Sequence, residues 1–311
     1  MKTRLALILI LALAAAGPAA AQGSAPFTVA ESGQGFESLQ DAVNAIGGGS
    51  GTIVIAPGTY TDCAVQEQGR IAFVAQERGS AVFDGAICED KATLVLRGRS
   101  ARVEGLSFLH TRVPDGNGAG IRIEQGDLAV SWTLFQDGQC GILSASDPKA
   151  TISIDHSTFS GLGKHPDGDG AHSLYIGDYG ALKVTNSRFE RGTGGHYLKS
   201  RAPRVEIVNN SFDDSHGRNT NYMIDLSNGA SGRIEGNVFV QGSDKDNYST
   251  LIAVAPEGAE NSSKGLVIAD NDASVAAAFR KTTTFVGDWS GERVTIRENR
   301  VGERVELHAR H

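Results

Sequence analysis

The sequence predicts an all-β solenoid of stacked parallel strands. The first observation is a phrase that returns about eight times, most clearly as ISIDHSTF (152–159), LKVTNSRF (182–189), VEIVNNSF (205–212) and GRIEGNVF (232–239). VEGLSF (103–108), VSWTLF (130–135), LVIADNDA (266–273) and VTIRENRV (294–301) are looser copies. Each runs through alternating apolar residues to Asn, Ser or Asp, and usually on to Phe. The aligned Phe108, Phe135, Phe159, Phe189, Phe212 and Phe239 lie roughly 23 to 30 residues apart. A repeat of that length marks a quasi-one-dimensional fold. The second observation is a short apolar strand after each phrase, such as GIRIEQ (120–125), SLYIGD (173–178), YLKSRA (197–202) and YMIDLS (222–227). The third is the punctuation: 39 Gly residues among Asp, Asn and Ser turns, and no amphipathic helix after residue 47. A leucine-rich repeat is excluded because its LxxLxLxxN spacing is absent. Strand length and period give about 9–10 rungs.

In chain order, residues 1–21 read as a secretory signal peptide. Lys2 and Arg4 precede the apolar Leu5–Ala16, and Ala19-Ala20-Ala21 supplies the small residues of a cleavage site. The apolar stretch is too short for a membrane span. The remainder, 22–311, is expected to be a single domain, periplasmic or secreted and monomeric. FESLQDAVNAI (36–46) sets Phe36, Leu39, Val43 and Ile46 on one helical face. GGGSG (47–51) ends that helix, and TIVIAPGTY (52–60) follows as strand and turn. A helix here caps the open end of the solenoid, where strand edges would otherwise be unpaired.

Net charge is −7, and −9 without Lys2 and Arg4. An acidic chain argues against general nucleic-acid binding. Cys63 and Cys88 are candidates for a disulfide if the compartment is oxidising, and Cys140 reads as a buried thiol.

GFESLQDAVNAIGGGSGTIVIAPGTYTD (35–62) resembles the cap and first rung of the pectin-lyase-like superfamily of right-handed parallel β-helices. The repeats extend that resemblance over nearly all of 22–311. The superfamily contains lyases, hydrolases, epimerases, esterases and non-catalytic proteins, so fold alone implies no single activity. The motif set of the galacturonan hydrolases is not matched, because Asp213-Asp214 and Ser215-His216-Gly217 fall together in one turn. The DPHD of the alginate epimerases is absent. YLKS (197–200) followed by VNNSF (208–212) is similar to the alginate and dermatan lyases, and the resemblance implies that Lys199 matches their Lys. Their Arg, one rung later, is missing; Asp225 or Ser227 of MIDLSNG (223–229) stands there.

Aligning Leu174, Leu198 and Ile224 as buried positions points Tyr175, Lys199 and Asp225 outward on successive rungs, about 4.8 Å apart. The same alignment adds Tyr197 and Arg201 to this wall and sets His172, His196 and Tyr222 at the strand entrance. The loop GLGKHPDGDGAH (161–172) is expected to overhang it, with Asp167 and Asp169 as candidates for a Ca2+ ion. His156 takes the turn position of Asn in other rungs and reads as structural.

A cationic strip on an acidic chain suits an anionic polysaccharide. The expected function is a polysaccharide lyase that splits a uronic-acid-containing glycan by β-elimination, or a related epimerase. Lys199 is then the base, its pKa lowered by Arg201 and desolvation, and Arg201 holds the carboxylate. Tyr175, Tyr197 or His196 is the acid, and Asp225 orients a neighbour or binds a hydroxyl. His172, Tyr222, Asn228, Arg218 and His165 are the candidate substrate contacts. A glycoside hydrolase is the alternative, pairing Asp225 with Asp178, Asp213 or Asp169. A non-catalytic glycan-binding or envelope protein is the third reading.

Overall fold

A computed structural model describes residues 25–163 and 171–311. The expected signal peptide, together with His165, Asp167 and Asp169, lies outside the described residues. Among the described residues, three sheets of twelve, ten and ten strands wind around one axis, each turn of chain giving one strand to each sheet. From the Ser50–Ile55 strand onward all pairing within these sheets is parallel. The fold is therefore the β-helix that the repeat predicts.

Register explains why the phrase recurs. In the first sheet Val130, Ile154, Val184, Ile207, Ile234 and Ile268 pair in one continuous column. All six are buried, so the alternation in the sequence fixes which face looks inward. In the second sheet Phe83, Phe108, Phe135, Phe159, Phe189, Phe212 and Phe239 form a second buried column. Their ring centroids are 4.6 to 5.8 Å apart and the planes nearly parallel, so each ring packs on the next. The same stack extends through Tyr60 and Phe27 toward the N-terminal end.

The turn between these sheets carries the recurring polar pair. Its first residue is left-handed in rung after rung: His156 (φ 46°), Asn186 (51°), Asn209 (58°), Gly236 (67°) and Asp270 (56°). Its second residue becomes a ladder of amides. Asn210, Asn237 and Asn271 each donate Nδ2 to the Oδ1 of the next rung's Asn, at 3.0, 2.9 and 2.9 Å. The same nitrogens reach carbonyls of the preceding rung, so these buried amides are satisfied.

The helix runs Leu39–Ile46, three residues shorter at its start than the pattern suggests. Ser38 caps it through the Asp41 N–H, and Phe36 is taken by a short antiparallel strand, Gln34–Phe36. Leu39, Ala42 and Val43 are buried against the first turns. Gln40 covers the strand edge itself. Its Nε2 donates to the Val65 carbonyl at 3.0 Å and its Oε1 accepts from the Val65 N–H at 2.7 Å, as a neighbouring strand would. Cys63 and Cys88 are joined in a disulfide nearby, and Cys140 is a buried free thiol.

Candidate active site

The third sheet positions the site. Leu174, Leu198 and Ile224 pair across three rungs and point inward, as do Ile176, Ser200 and Leu226. Between them Tyr175, Lys199 and Asp225 stand in register on the outer face. Four connections frame that face: Gly177–Asp178, Arg201–Pro203, Ser227–Ala230, and the much longer 255–265 that follows the strand Thr250–Val254. A groove of about 480 Å³ opens there, lined by Ser144, Tyr175, Asp178, Arg201, Asn228 and Glu260.

The charges in this groove are tightly matched. Lys199 Nζ is 3.2 Å from Asp225 Oδ2 and also bonds Glu257 Oε1. Arg201 bonds Glu257 Oε2 through Nη2 and Asn228 Oδ1 through Nη1, and donates Nε to the Tyr175 hydroxyl at 3.1 Å. One carboxylate therefore bridges the two cations of the wall. Asn228 in turn donates Nδ2 to Glu260.

The histidines form the other side. The rings of His172 and His196 are 4.8 Å apart, and that of Tyr222 is 5.4 Å beyond His196. His172 Nδ1 accepts the His196 backbone N–H at 3.0 Å. His196 Nδ1 lies 3.1 Å from His172 Nδ1, and its Nε2 lies 3.5 Å from Asp225 Oδ2. Burial, with Lys199 nearby, pushes His172 down to about 3. Burial, then His172 and Lys199, holds His196 well below the ordinary imidazole range. Both are neutral at pH 7. Burial also lifts Asp225 above the usual carboxylate range in spite of Lys199. Its Oδ1 is buried without a hydrogen-bond partner.

Of the residues expected at the site, His172, Tyr175, His196, Lys199, Arg201, Tyr222, Asp225 and Asn228 are brought together. Three expectations need correction. Tyr197 does not join the outer wall: it is buried, and its hydroxyl donates to Asp214 Oδ1 at 2.8 Å. It precedes the strand Leu198–Ser200, so the in–out alternation does not extend to it. The Lys199 pKa is raised, not lowered. Burial pulls it down, but Asp225 and Glu257 outweigh burial and hold the ammonium charged. Arg218 is exposed in the turn after the strand Ser211–Asp213 and makes no side-chain hydrogen bond or ion pair to the cluster. Asp213, a hydrolase candidate, lies on that second-sheet strand. Among the described residues no three His, Cys, Asp or Glu side chains are grouped to hold a metal ion.

Glu257 and Glu260 escaped the sequence reading. Their signal was APEGAENSSKG (255–265), the longest connection between the third sheet and the first, where the other rungs use a short one.

The profile of the family described as right handed beta helix region matches residues 119–301. No curated protein sequence matches the chain. Among solved structures, the chain is similar to the PL6 family alginate lyase AlyGC, with 16% identity and a TM-score of 0.44 over 81% of this chain and 36% of that one. It thus spans about a third of that lyase's length. It is also similar to the Streptococcus pneumoniae surface protein and adhesin PfbA, with 10% identity and a TM-score of 0.25, over 88% of this chain and 94% of that one.

Proposed function

The chain belongs to the right-handed beta helix family, and from that premise we propose that it is a polysaccharide lyase acting on a uronic-acid-containing glycan. The observation that carries this reading is that Lys199 and Arg201 converge on a single carboxylate, that of Glu257. A uronate carboxylate entering the groove would displace Glu257 and take the same two cations. The local likeness of YLKS and VNNSF to the alginate and dermatan lyases agrees with it.

β-Elimination removes the proton on the carbon beside the carboxylate. The electron pair left behind spreads into the carboxylate, where Lys199 and Arg201 neutralise the added charge. The pair then forms the carbon–carbon double bond while the neighbouring carbon–oxygen bond breaks. A base must take the first proton and an acid must protonate the leaving oxygen. Lys199, charged between two carboxylates, is no base in this state. His196 is neutral and adjoins it, and takes the proton. The Tyr175 hydroxyl oxygen accepts from Arg201 Nε, which leaves its O–H to donate to the leaving oxygen. Asp225, shared by Lys199 and His196, orients both. The disulfide supports an oxidising compartment, in line with the secretory signal expected at 1–21.

The test is a panel of anionic polysaccharides, with and without calcium, followed by the ultraviolet absorbance of the unsaturated product. Lys199→Ala should lose about 100-fold or more in kcat, the scale of one lost charge-stabilising group. Lys199→Arg keeps the charge but never acts as a base, and should stay within about 10-fold of wild type. Equal losses in both would return the base to Lys199. New reducing ends without absorbance would replace the lyase by a hydrolase. Solvent deuterium entering the polymer without cleavage would indicate an epimerase. No change in any polymer would leave a glycan-binding protein.

A further inference from the structure

Three rungs before Lys199, the outer column of the third sheet holds another cation. Arg122 pairs with Leu143, Leu143 with Tyr175, and Tyr175 with Lys199. Ile121 and Ile123 on either side of it are buried, so Arg122 faces outward on the same wall. It lines a groove of about 470 Å³ together with Asp90, Lys91, Asp115, Asn117 and Tyr175. Tyr175 and Ser144 line both this groove and the one over Arg201, so the two adjoin.

Arg122 differs from its neighbours in what it bonds. Arg97 is engaged by Glu67, Glu89 and Glu124, and Arg201 by Glu257, Asn228 and Tyr175. The Arg122 guanidinium donates no hydrogen bond among the described residues, and its Nε is buried without a partner. Glu124 Oε1 lies 3.7 Å from that Nε, beyond hydrogen-bonding distance, and is already taken by Lys91 at 3.0 Å. A guanidinium fork that is buried at its base, makes no hydrogen bond among the described residues and is only loosely paired with Glu124 suits a planar anion from outside. Asp90 and Asp115 in the same groove restrict it to a ligand whose anion meets Arg122 squarely and whose hydroxyls meet the carboxylates.

We propose that Arg122 forms a remote subsite for a second uronate carboxylate, so that the glycan lies along the solenoid axis, across the strands. This rests on the reading of Lys199 and Arg201 as a carboxylate site. A linked pyranose residue advances by about the length of one rung, and three rungs of about 4.8 Å separate Arg122 from Lys199. Arg122 therefore meets the carboxylate about three residues along from the one at Lys199. The proposal names the substrate class, a polymer with closely repeated uronates, and a preference for length.

The experiment titrates oligomannuronates and oligogalacturonates of two to seven residues calorimetrically. It uses the full chain carrying Lys199→Ala, so that the oligomers stay intact, with and without Arg122→Gln. For the oligomer that binds, affinity should rise about 10-fold as length passes about four residues, the scale of one charge-assisted contact. Arg122→Gln should reduce that gain below about 2-fold, and Arg122→Lys, which keeps the charge without the fork, should retain part of it. Circular dichroism and melting temperature verify that each variant is folded. A gain equal in Arg122→Gln, no dependence on length, or no binding of either series overturns the subsite. If the length step is present but the wild-type protein forms no unsaturated product from the same oligomers, the lyase reading fails and the subsite stands.

Discussion

Lys199 shows how two neighbouring carboxylates bear on the role a side chain can take. Its outward position follows from strand alternation, and by that pattern alone it is a base candidate. Glu257 and Asp225 then keep it charged, and in the proposed reaction the proton-accepting step falls to a neutral imidazole. The two assignments differ in their pH dependence. With His196 as base the rate should be level through the neutral range and fall only on the acid side, as the imidazole takes a proton. With Lys199 as base the rate should climb steadily into alkali. A kcat profile on the active polymer decides between them. The histidines also make a stability prediction. Folding holds His172 and His196 neutral, so below the unfolded value of about 6.5 the unfolded chain binds protons that the folded chain does not. Their contribution is complete above that pH and is lost as pH falls, by about 1.4 kcal/mol per pH unit for each ring. Urea unfolding between about pH 6.5 and 5 should therefore show a steep acid loss that His196→Gln flattens. Parallel slopes in the two proteins would place the acid sensitivity elsewhere.

The strands and turns were legible because they are periodic, and the loops were not. Buried columns demand the same residue type every rung, so Phe108 to Phe239 and the Asn ladder appear in the sequence as a visible repeat. Tyr197 lies just outside a strand, where alternation gives no direction, and it turned inward to Asp214. Glu257 and Glu260 sit in an aperiodic connection whose length is visible but whose fold-back over Lys199 and Arg201 is not. The ladder itself can be tested by position. Asn237 is fully buried, receives the N–H and Nδ2 of Asn210, and donates to Ile207 and Asn271. Its removal strands several buried donors and acceptors, each worth about 1–3 kcal/mol. Asn299 ends the ladder and is only half-buried, so water can replace it. Asn237→Ala should therefore lower the unfolding free energy by about 3 kcal/mol and Asn299→Ala by about 1 kcal/mol or less. Equal losses would mean that the ladder acts through turn geometry and not through buried amides.

Across the whole molecule, each turn touches only the turns beside it, so stability is a sum of neighbour interfaces and the ends decide where opening begins. The two ends are built differently. At the N-terminal end the helix Leu39–Ile46, the Gln40 amide and the antiparallel strand Phe27–Val29 cover the exposed edges, and the Cys63–Cys88 disulfide ties neighbouring turns together. At the other end the strand Val305–Arg310 pairs on one side with Thr283–Asp288 and keeps most of its side chains at least partly exposed. Among the described residues, opening should thus begin at the strand Val305–Arg310. Hydrogen exchange should be fastest in Val305–Arg310 and slowest in the central strands Leu198–Ser200 and Ile224–Leu226, which hold the candidate site. The disulfide closes a separation of 25 residues, which a chain-entropy account values at about 3 kcal/mol. Replacing both cysteines by Ser should speed exchange in the linked turns, Ala64–Gln66 and Ala92–Leu96, and leave the central strands protected. If protection were instead lost together from end to end, the turns would form one cooperative unit. The Cys63–Cys88 bond would then stabilise the candidate site as strongly as it does the cap.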